Sequence, residues 1–260
     1  MTPFPPATRV SSGVAVFADA HLGQAERDAD DFLAALSEVT GRGLTTIVLL
    51  GDIFHYFIGD AKFETPLVRR VLRAWTDLAA FGVSLRYVEG NRDFFLAGTP
   101  YAAPFSAFGE TDGLEVGGVR YAFVHGDRVN TRDLPYRFWR ALSKNAVSRG
   151  ALKLIPGPMA RTIVKKAEER LYRTNFKHKT KLPEGELRAE GRRARSAGYD
   201  RLLVGHFHVE RLFETADSMT HVLPAWLEER KHAEIDASGN LVIVEEPTAL
   251  RAVKRNHGFA

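Results

Sequence analysis

Apolar residues in this chain come in short runs, and five of the runs end in a polar cluster carrying Asp, Asn or His. Residues 13–18 (GVAVFA) predict a buried strand that stops at Asp19. Residues 45–50 (TTIVLL) predict a second strand, running into Gly51-Asp52, and residues 83–88 (VSLRYV) a third, running into Gly90-Asn91. Val119 to Val124 leads into His125-Gly126-Asp127, and Arg201 to Val204 into Gly205-His206. Between the first runs the period becomes helical. Glu26 to Val39 places Phe32, Leu33, Leu36 and Val39 on one face, and Leu67, Val71, Leu72, Trp75 and Leu78 repeat the pattern. Strands alternating with helices imply an α/β layered fold.

Residues 134–197 break this rhythm. Tyr136 to Val147 reads as helical, with Phe138, Trp139 and Leu142 as its apolar positions. Residues 158–173 place Met159, Ile163, Val164, Ala167 and Leu171 on one face, bordered by basic residues, and Pro158 suits a first helical turn. Pro183 and Gly185 precede another basic helix. The stretch 134–197 is read as a helical insert, or cap, within a single domain spanning 1–260. The chain then returns to strand at Ala233–Asp236, turns at Ser238-Gly239-Asn240 and resumes at Leu241–Glu245.

Composition narrows the chemistry. With 45% hydrophobic and 26% charged residues over 260 positions, a packed core is expected rather than disorder. The absence of cysteine excludes disulfides, thiolate metal sites and a cysteine nucleophile. No apolar run reaches the roughly 18 residues that span a bilayer. The start, MTPFPPATRVSSG, lacks the basic end and apolar centre of a signal peptide, so a cytoplasmic protein is expected. The net charge of +4 is unevenly spread: Arg137 to Arg195 holds 17 Lys/Arg against 5 Asp/Glu. A basic block of this kind suits nucleic acid, an anionic membrane surface or a phosphorylated ligand.

In α/β sheets the ligand site lies beyond the carboxyl ends of the strands. One Asp or His there is ordinarily a turn residue or helix cap. Five such ends with metal-compatible side chains read instead as one metal site. Two divalent ions about 3.5–4 Å apart can clamp both oxygens of an in-line phosphoryl displacement. The motifs D-A-H (Asp19, His21), G-D (Asp52), G-N-R-D (Asn91), H-G-D (His125) and G-H-F-H (His206, His208) supply the donors. Asp, Asn and His ligation without Cys points to Mn²⁺, Fe²⁺ or Zn²⁺, with two Mn²⁺ ions the expected pair.

This ordered set resembles the calcineurin-like metallophosphoesterase family. The resemblance implies a four-layer sandwich, two β-sheets flanked by helices, with the helical insert added. It implies that Asp19, His21 and His208 hold one ion, that Asn91, His125 and His206 hold the other, and that Asp52 bridges. It further implies a hydroxide between the ions as nucleophile and Asp93 as a residue that orients a ligand. Many members carry His after the Asn; here the residue is Arg92. With GDIFHYFIGD (51–60), the D-x-x-Y-x-x-x-R spacing of Asp133, Tyr136 and Arg140, and the basic insert, the chain resembles a branch that cleaves the pyrophosphate of a UDP-linked acylated sugar in lipid A biosynthesis. There the leaving group is a phosphate monoester with a second pKa of about 6, which departs without a proton. A catalytic guanidinium at Arg92 therefore suits the reaction better than a general acid.

On this resemblance Asn91, Arg92, Asp133, Tyr136, Arg140, Thr174, His178 and Lys181 contact substrate. The insert is expected to cover the acyl chains and to rest peripherally on an anionic inner-membrane surface, with no obligate protein partner. Pro224-Ala225-Trp226-Leu227 departs from the family's pattern near this point, and His55 and His221 fall outside the ligand scheme. Two other readings remain open: a dinuclear phosphatase or phosphodiesterase acting on a nucleotide or nucleic acid, and a non-catalytic interaction module on the same fold.

Overall fold

The computed structural model describes residues 2–24, 27–159, 162, 166 and 182–245. Two six-stranded sheets form its centre. The first contains β2 (Val14–Phe17), β3 (Thr46–Leu49), β5 (Ser84–Val88), β7 (Ala107–Gly109), β13 (Lys231–Ile235) and β14 (Leu241–Glu245), in the order β14-β13-β2-β3-β5-β7. The second contains β1 (Thr8–Val10), β8 (Thr111–Val116), β9 (Val119–Val124), β10 (Arg201–Val204), β11 (Arg211–Glu214) and β12 (Met219–Val222), in the order β1-β8-β9-β10-β12-β11. A two-stranded ladder pairs β4 (Phe57–Ile58) with β6 (Asp93–Phe94).

Side-chain alternation along the strands separates three cores. Val14, Val16, Val48 and Val88 of the first sheet meet Leu114, Val116, Tyr121 and Phe123 of the second. The intervening residues Ala15, Phe17, Ile47 and Leu49 face the other way. They pack against Phe32 and Leu36 of α1 (Asp28–Gly41) and Val71 and Trp75 of α2 (Pro66–Ala80). On the outer face of the second sheet, Ala122, Val124, Leu202 and Val204 cluster with Leu187 and Ala194 of α5 (Glu184–Ser196). The result is a helix–sheet–sheet–helix sandwich, as expected from the alternating runs.

Two local features differ from the expected pattern. The helix read as continuous over 136–147 is two: α3 (Leu134–Ser143) and α4 (Ala146–Leu154). Asn145 divides them, because its side chain accepts the Ser148 N–H at 2.8 Å and starts the second helix. Helix α5 falls within the stretch 134–197 yet packs on the second sheet, so it belongs to the sandwich layers. The helix expected over 158–173 falls mostly outside the described residues.

The N-terminal residues also have a place. β1 runs parallel to β8, and the carbonyl of Pro3 accepts from Thr111 Oγ1 at 2.9 Å. Strands β2, β3 and β5 are mutually parallel, as are β9 and β10. Their carboxyl ends carry the five polar clusters.

Candidate metal centre

The five loops converge, and their backbones are unusual. Seven described non-glycine residues have positive φ, and five of them are Asp19, His21, Asp52, His206 and His208. Left-handed backbone at a non-glycine residue costs roughly 1 kcal/mol or more and persists where the surroundings demand it. The adjoining glycines show that demand. A Cβ on Gly90 would lie 2.3 Å from Oδ1 of Asp52, and one on Gly51 would lie 2.6 Å from Nδ1 of His125.

Two groups of donor atoms result. In one, His21 Nε2 and His208 Nε2 are 3.3 Å apart, and they lie 3.7 and 3.3 Å from Oδ1 of Asp19. In the other, His125 Nε2 lies 3.6 Å from Oδ1 of Asp52 and 3.1 Å from Oδ1 of Asn91. Ligands about 2.1 Å from one ion at tetrahedral or octahedral angles are themselves about 3.0–3.5 Å apart. The donor set thus fits two divalent cations. Asp19 also lies within reach of Asp52 and His125, so the two groups adjoin through their carboxylates. His206 lies alongside the second group, its ring 5.1 Å from that of His125 and its N–H donating to Oδ2 of Asp19 at 2.6 Å.

The imidazoles are turned for ligation. Nδ1–H of His125 donates to the Leu50 carbonyl at 2.9 Å, leaving the Nε2 lone pair inward. His208 does the same through Nδ1 to Glu228 Oε1 at 2.8 Å. Glu228 belongs to α6 (Trp226–Glu229), which begins in the segment that departs from the family's pattern. That segment docks on the D-A-H loop: the N–H of Trp226 donates to the Ala18 carbonyl at 2.9 Å, and its ring packs on Phe32.

Electrostatics separate the carboxylates. Burial works to raise Asp19, but the charges of His208, His125 and His21 outweigh it and hold its carboxyl well below the usual range. Burial pushes Asp52 up to about 6, only partly opposed by His125 and Arg92. His206 is pulled down to about 3 by burial and by His125, so it is neutral at ordinary pH. His208 rises to about 9: burial opposes its charge, but Asp19 and Glu228 prevail.

Arg92 is buried beside Asp52, its guanidinium stacked 5.5 Å from the Tyr56 ring. Asp93 bonds to the loops behind the donors. It accepts from the Gly90 N–H at 2.7 Å, the Tyr87 hydroxyl at 2.9 Å and the Asp52 N–H at 3.2 Å, so it orders the loops that carry Asn91 and Asp52. The D-x-x-Y-x-x-x-R residues have protein partners. Asp133 accepts from the Tyr136 N–H at 2.9 Å and caps α3. The Tyr136 hydroxyl and Arg140 Nη1 both donate to Asp127, at 2.5 and 2.7 Å. Thr174, His178 and Lys181 lie outside the described residues.

Sequence reasoning passed over Asp127, Glu228, Lys144 and the placement of His55. His55 lies at the edge of the site, its Nδ1 3.3 Å from Gln24 Nε2 and 3.5 Å from Arg92 Nη1. Asp127 was visible in the H-G-D motif. Glu228 carries no local signal, because its partner is 20 residues away.

No protein-family model matches the chain. It is 34% identical over 144 residues to UDP-2,3-diacylglucosamine hydrolase of Ralstonia nicotianae, covering 54% of this chain and 53% of that protein. The protein of the same name from Pseudomonas putida is 30% identical over 145 residues, or 55% and 60% of the two chains. That from Edwardsiella ictaluri is 27% identical over 238 residues, or 88% and 90%. The chain is a sequence relative of the UDP-2,3-diacylglucosamine hydrolases. The resemblance read from its motifs is borne out, although the alignment spans little more than half the length of the first of these relatives. Among solved structures, an archaeal phosphodiesterase aligns at TM-score 0.48 and 10% identity over 90% of this chain and 99% of its own. Vacuolar protein sorting 29 from Cryptosporidium parvum aligns at 0.48 and 12%, over 91% and 92%.

Proposed function

We propose that the protein is a dinuclear metal-dependent pyrophosphohydrolase that cleaves UDP-2,3-diacylglucosamine to UMP and 2,3-diacylglucosamine 1-phosphate. The observation that carries the metal chemistry is the pair of inward-facing donor groups at Asp19/His21/His208 and Asp52/Asn91/His125. The names of the sequence relatives support the substrate. His206 completes the second group, and Mn²⁺ is the proposed ion at both positions.

When bound, the two ions supply a water of lowered pKa and neutralise phosphate oxygens. The protein's own part is positional and electrostatic. Arg92 directs a fixed guanidinium at the charge that develops on the departing phosphate monoester. Asp93 keeps the Asn91 and Asp52 loops in register. We propose that the substrate edge runs from Asn91 and Arg92 towards the start of α3, and by resemblance Thr174, His178 and Lys181 also contact substrate.

The segment from 134 to about 183 is the proposed cap. Leu134, Phe138 and Leu142 are exposed at spacings of four on α3, and Val147 and Leu154 are exposed on α4. With the basic excess of this segment, that face supports peripheral contact with an anionic membrane surface on its cytoplasmic side. No helix among the described residues is long and apolar enough to cross a membrane.

The test is product analysis. Mn²⁺-loaded protein incubated with UDP-2,3-diacylglucosamine should release UMP and the acylated sugar phosphate in equal amounts. Cleavage of a simple aryl phosphodiester with no UMP release would instead favour the nucleotide or nucleic acid reading, and no cleavage of either would favour a non-catalytic module.

A further inference from the structure

Helix α3 reaches three loops, and all three belong to the same half of the centre. Lys144, at the carboxyl end of the helix, is half-buried and donates from Nζ to the Gly90 carbonyl at 2.6 Å. Gly90 immediately precedes Asn91. The Nζ also sits 5.2 Å from the Phe94 ring, just beyond the G-N-R-D motif. One and two turns earlier in the helix, Arg140 and Tyr136 both donate to the buried carboxylate of Asp127, two residues beyond His125. The Tyr136 ring lies 6.5 Å from the His206 ring. Asn91, His125 and His206 are the donors assigned to one ion.

The helix pair is tied down at its far end as well. Lys62 Nζ donates to the carbonyls of Leu152, Lys153 and Ile155 at 2.6, 3.1 and 3.2 Å, closing the carboxyl end of α4. The other half of the centre is supported from elsewhere. His208 is held by Glu228 of α6, and the backbone of α6 rests on Ala18, beside Asp19.

We propose that α3 is a positioning helix for one of the two metal ions: Tyr136, Arg140 and Lys144 set the loops that carry Asn91, His125 and His206, so this ion's site depends on the seating of the helix while the Asp19/His21/His208 site does not. The inference rests on the dinuclear reading above. Its physical basis is that side chains contacting metal ligands or their loops fix ligand orientation, and their loss typically costs about 10- to 100-fold in metal affinity. Losing Lys144 frees the Gly90 carbonyl and the adjoining Asn91. Losing the Tyr136 hydroxyl removes one of the two donors that hold Asp127 behind His125.

The test is titration of metal-free protein with Mn²⁺ by calorimetry, with metal content counted after gel filtration. Wild-type protein should bind two ions. Lys144→Met and Tyr136→Phe should each weaken one binding step by about 10- to 100-fold and leave the other within about threefold. Glu228→Gln should weaken the opposite step, and the double variant Lys144→Met/Glu228→Gln should weaken both. The proposal is overturned if Lys144→Met and Tyr136→Phe leave both steps unchanged. It is equally overturned if they weaken both steps alike, the signature of a general loss of structure. A wild-type protein that takes up fewer than two ions would overturn the dinuclear reading itself.

Discussion

Arg92 and Asp52 are joined at two levels: the Arg92 backbone N–H donates to Oδ1 of Asp52 at 2.8 Å, and the guanidinium Nε lies 3.5 Å from Oδ2. The backbone contact keeps the G-D and G-N-R-D loops together whatever the side chain. The guanidinium is held beside the centre by Asp52, by the His55 carbonyl and by the Tyr56 ring. Structure and charge are therefore separable at this residue.

Arg92→Ala should retain both metal ions and lose turnover. A preorganised donor aimed at developing charge is worth about 100- to 1000-fold in kcat. Steady-state kinetics with metal analysis on the same preparation measures both. A rise in KM at unchanged kcat would remove Arg92 from the transition state and leave it a binding residue.

Gly90→Ala should fail in a different way. The added Cβ would meet Oδ1 of Asp52 at 2.3 Å and the Asp52 backbone nitrogen at 2.6 Å, so backbone must move. Overpacking of this kind costs about 1–3 kcal/mol. Thermal melts should show the loss, and metal uptake should fall with it because Asp52 and Asn91 are displaced together.

Asp52→Asn should stabilise the metal-free protein. Burial raises the Asp52 carboxyl to about 6 from an ordinary 3.8, so its ionised form opposes folding. That penalty is fully present above pH 6, shrinks as pH falls, and is gone below 3.8. The variant's advantage at pH 7 should be roughly 2–3 kcal/mol, at about 1.4 kcal/mol per pH unit. Added Mn²⁺ should raise the Tm of the wild type by more than that of the variant. Denaturation of both proteins at pH 7 and pH 4 measures each part.

His221 should contribute to acid sensitivity. It lies on β12, opposite Leu203 and Leu212, and burial together with Arg201 lowers it from 6.5 to about 4. The folded state binds its proton less readily than the unfolded state. Its stabilising effect is therefore complete above pH 6.5 and is lost as pH falls through about 4. His221→Asn should flatten that part of the stability profile by about 2–3 kcal/mol, measured by urea denaturation across pH 4–7.

Arg86→Met should be strongly destabilising. Arg86 and Asp112 form a buried two-point contact between β5 and β8, with both N–O distances 2.6 Å. Removing one partner strands the other charge, at a cost of about 3–5 kcal/mol. The double variant Arg86→Met/Asp112→Leu should recover most of it, which a double-mutant cycle would show.

Much of the site could be read along the chain because its donors are coupled to local structure. Each of Asp19, Asp52, Asn91, His125 and His206 follows an apolar strand within three residues, and the motif glycines mark where backbone approaches backbone. The strands that carry them are the continuous apolar ones, since they are buried on both faces between a sheet and helices. Strands with weaker patterns, such as β8 (TDGLEV) and β11 (RLFE), escaped notice because their apolar residues are few and their pairing is supplied by neighbours.

Sequence alone therefore determined the layered α/β fold, the order of the five polar loops and the types of metal-compatible donor they present. These are consequences of short-range periodicity and of residue chemistry. Tertiary structure decided how the candidate donors divide into two adjoining groups, and that Asp133, Tyr136 and Arg140 bond to protein partners. It also decided that Glu228 supports His208 and that Lys144 supports the Asn91 loop. The reason is physical: burial, charge pairing and hydrogen-bond direction depend on which distant segments meet, and one-dimensional spacing does not encode that meeting.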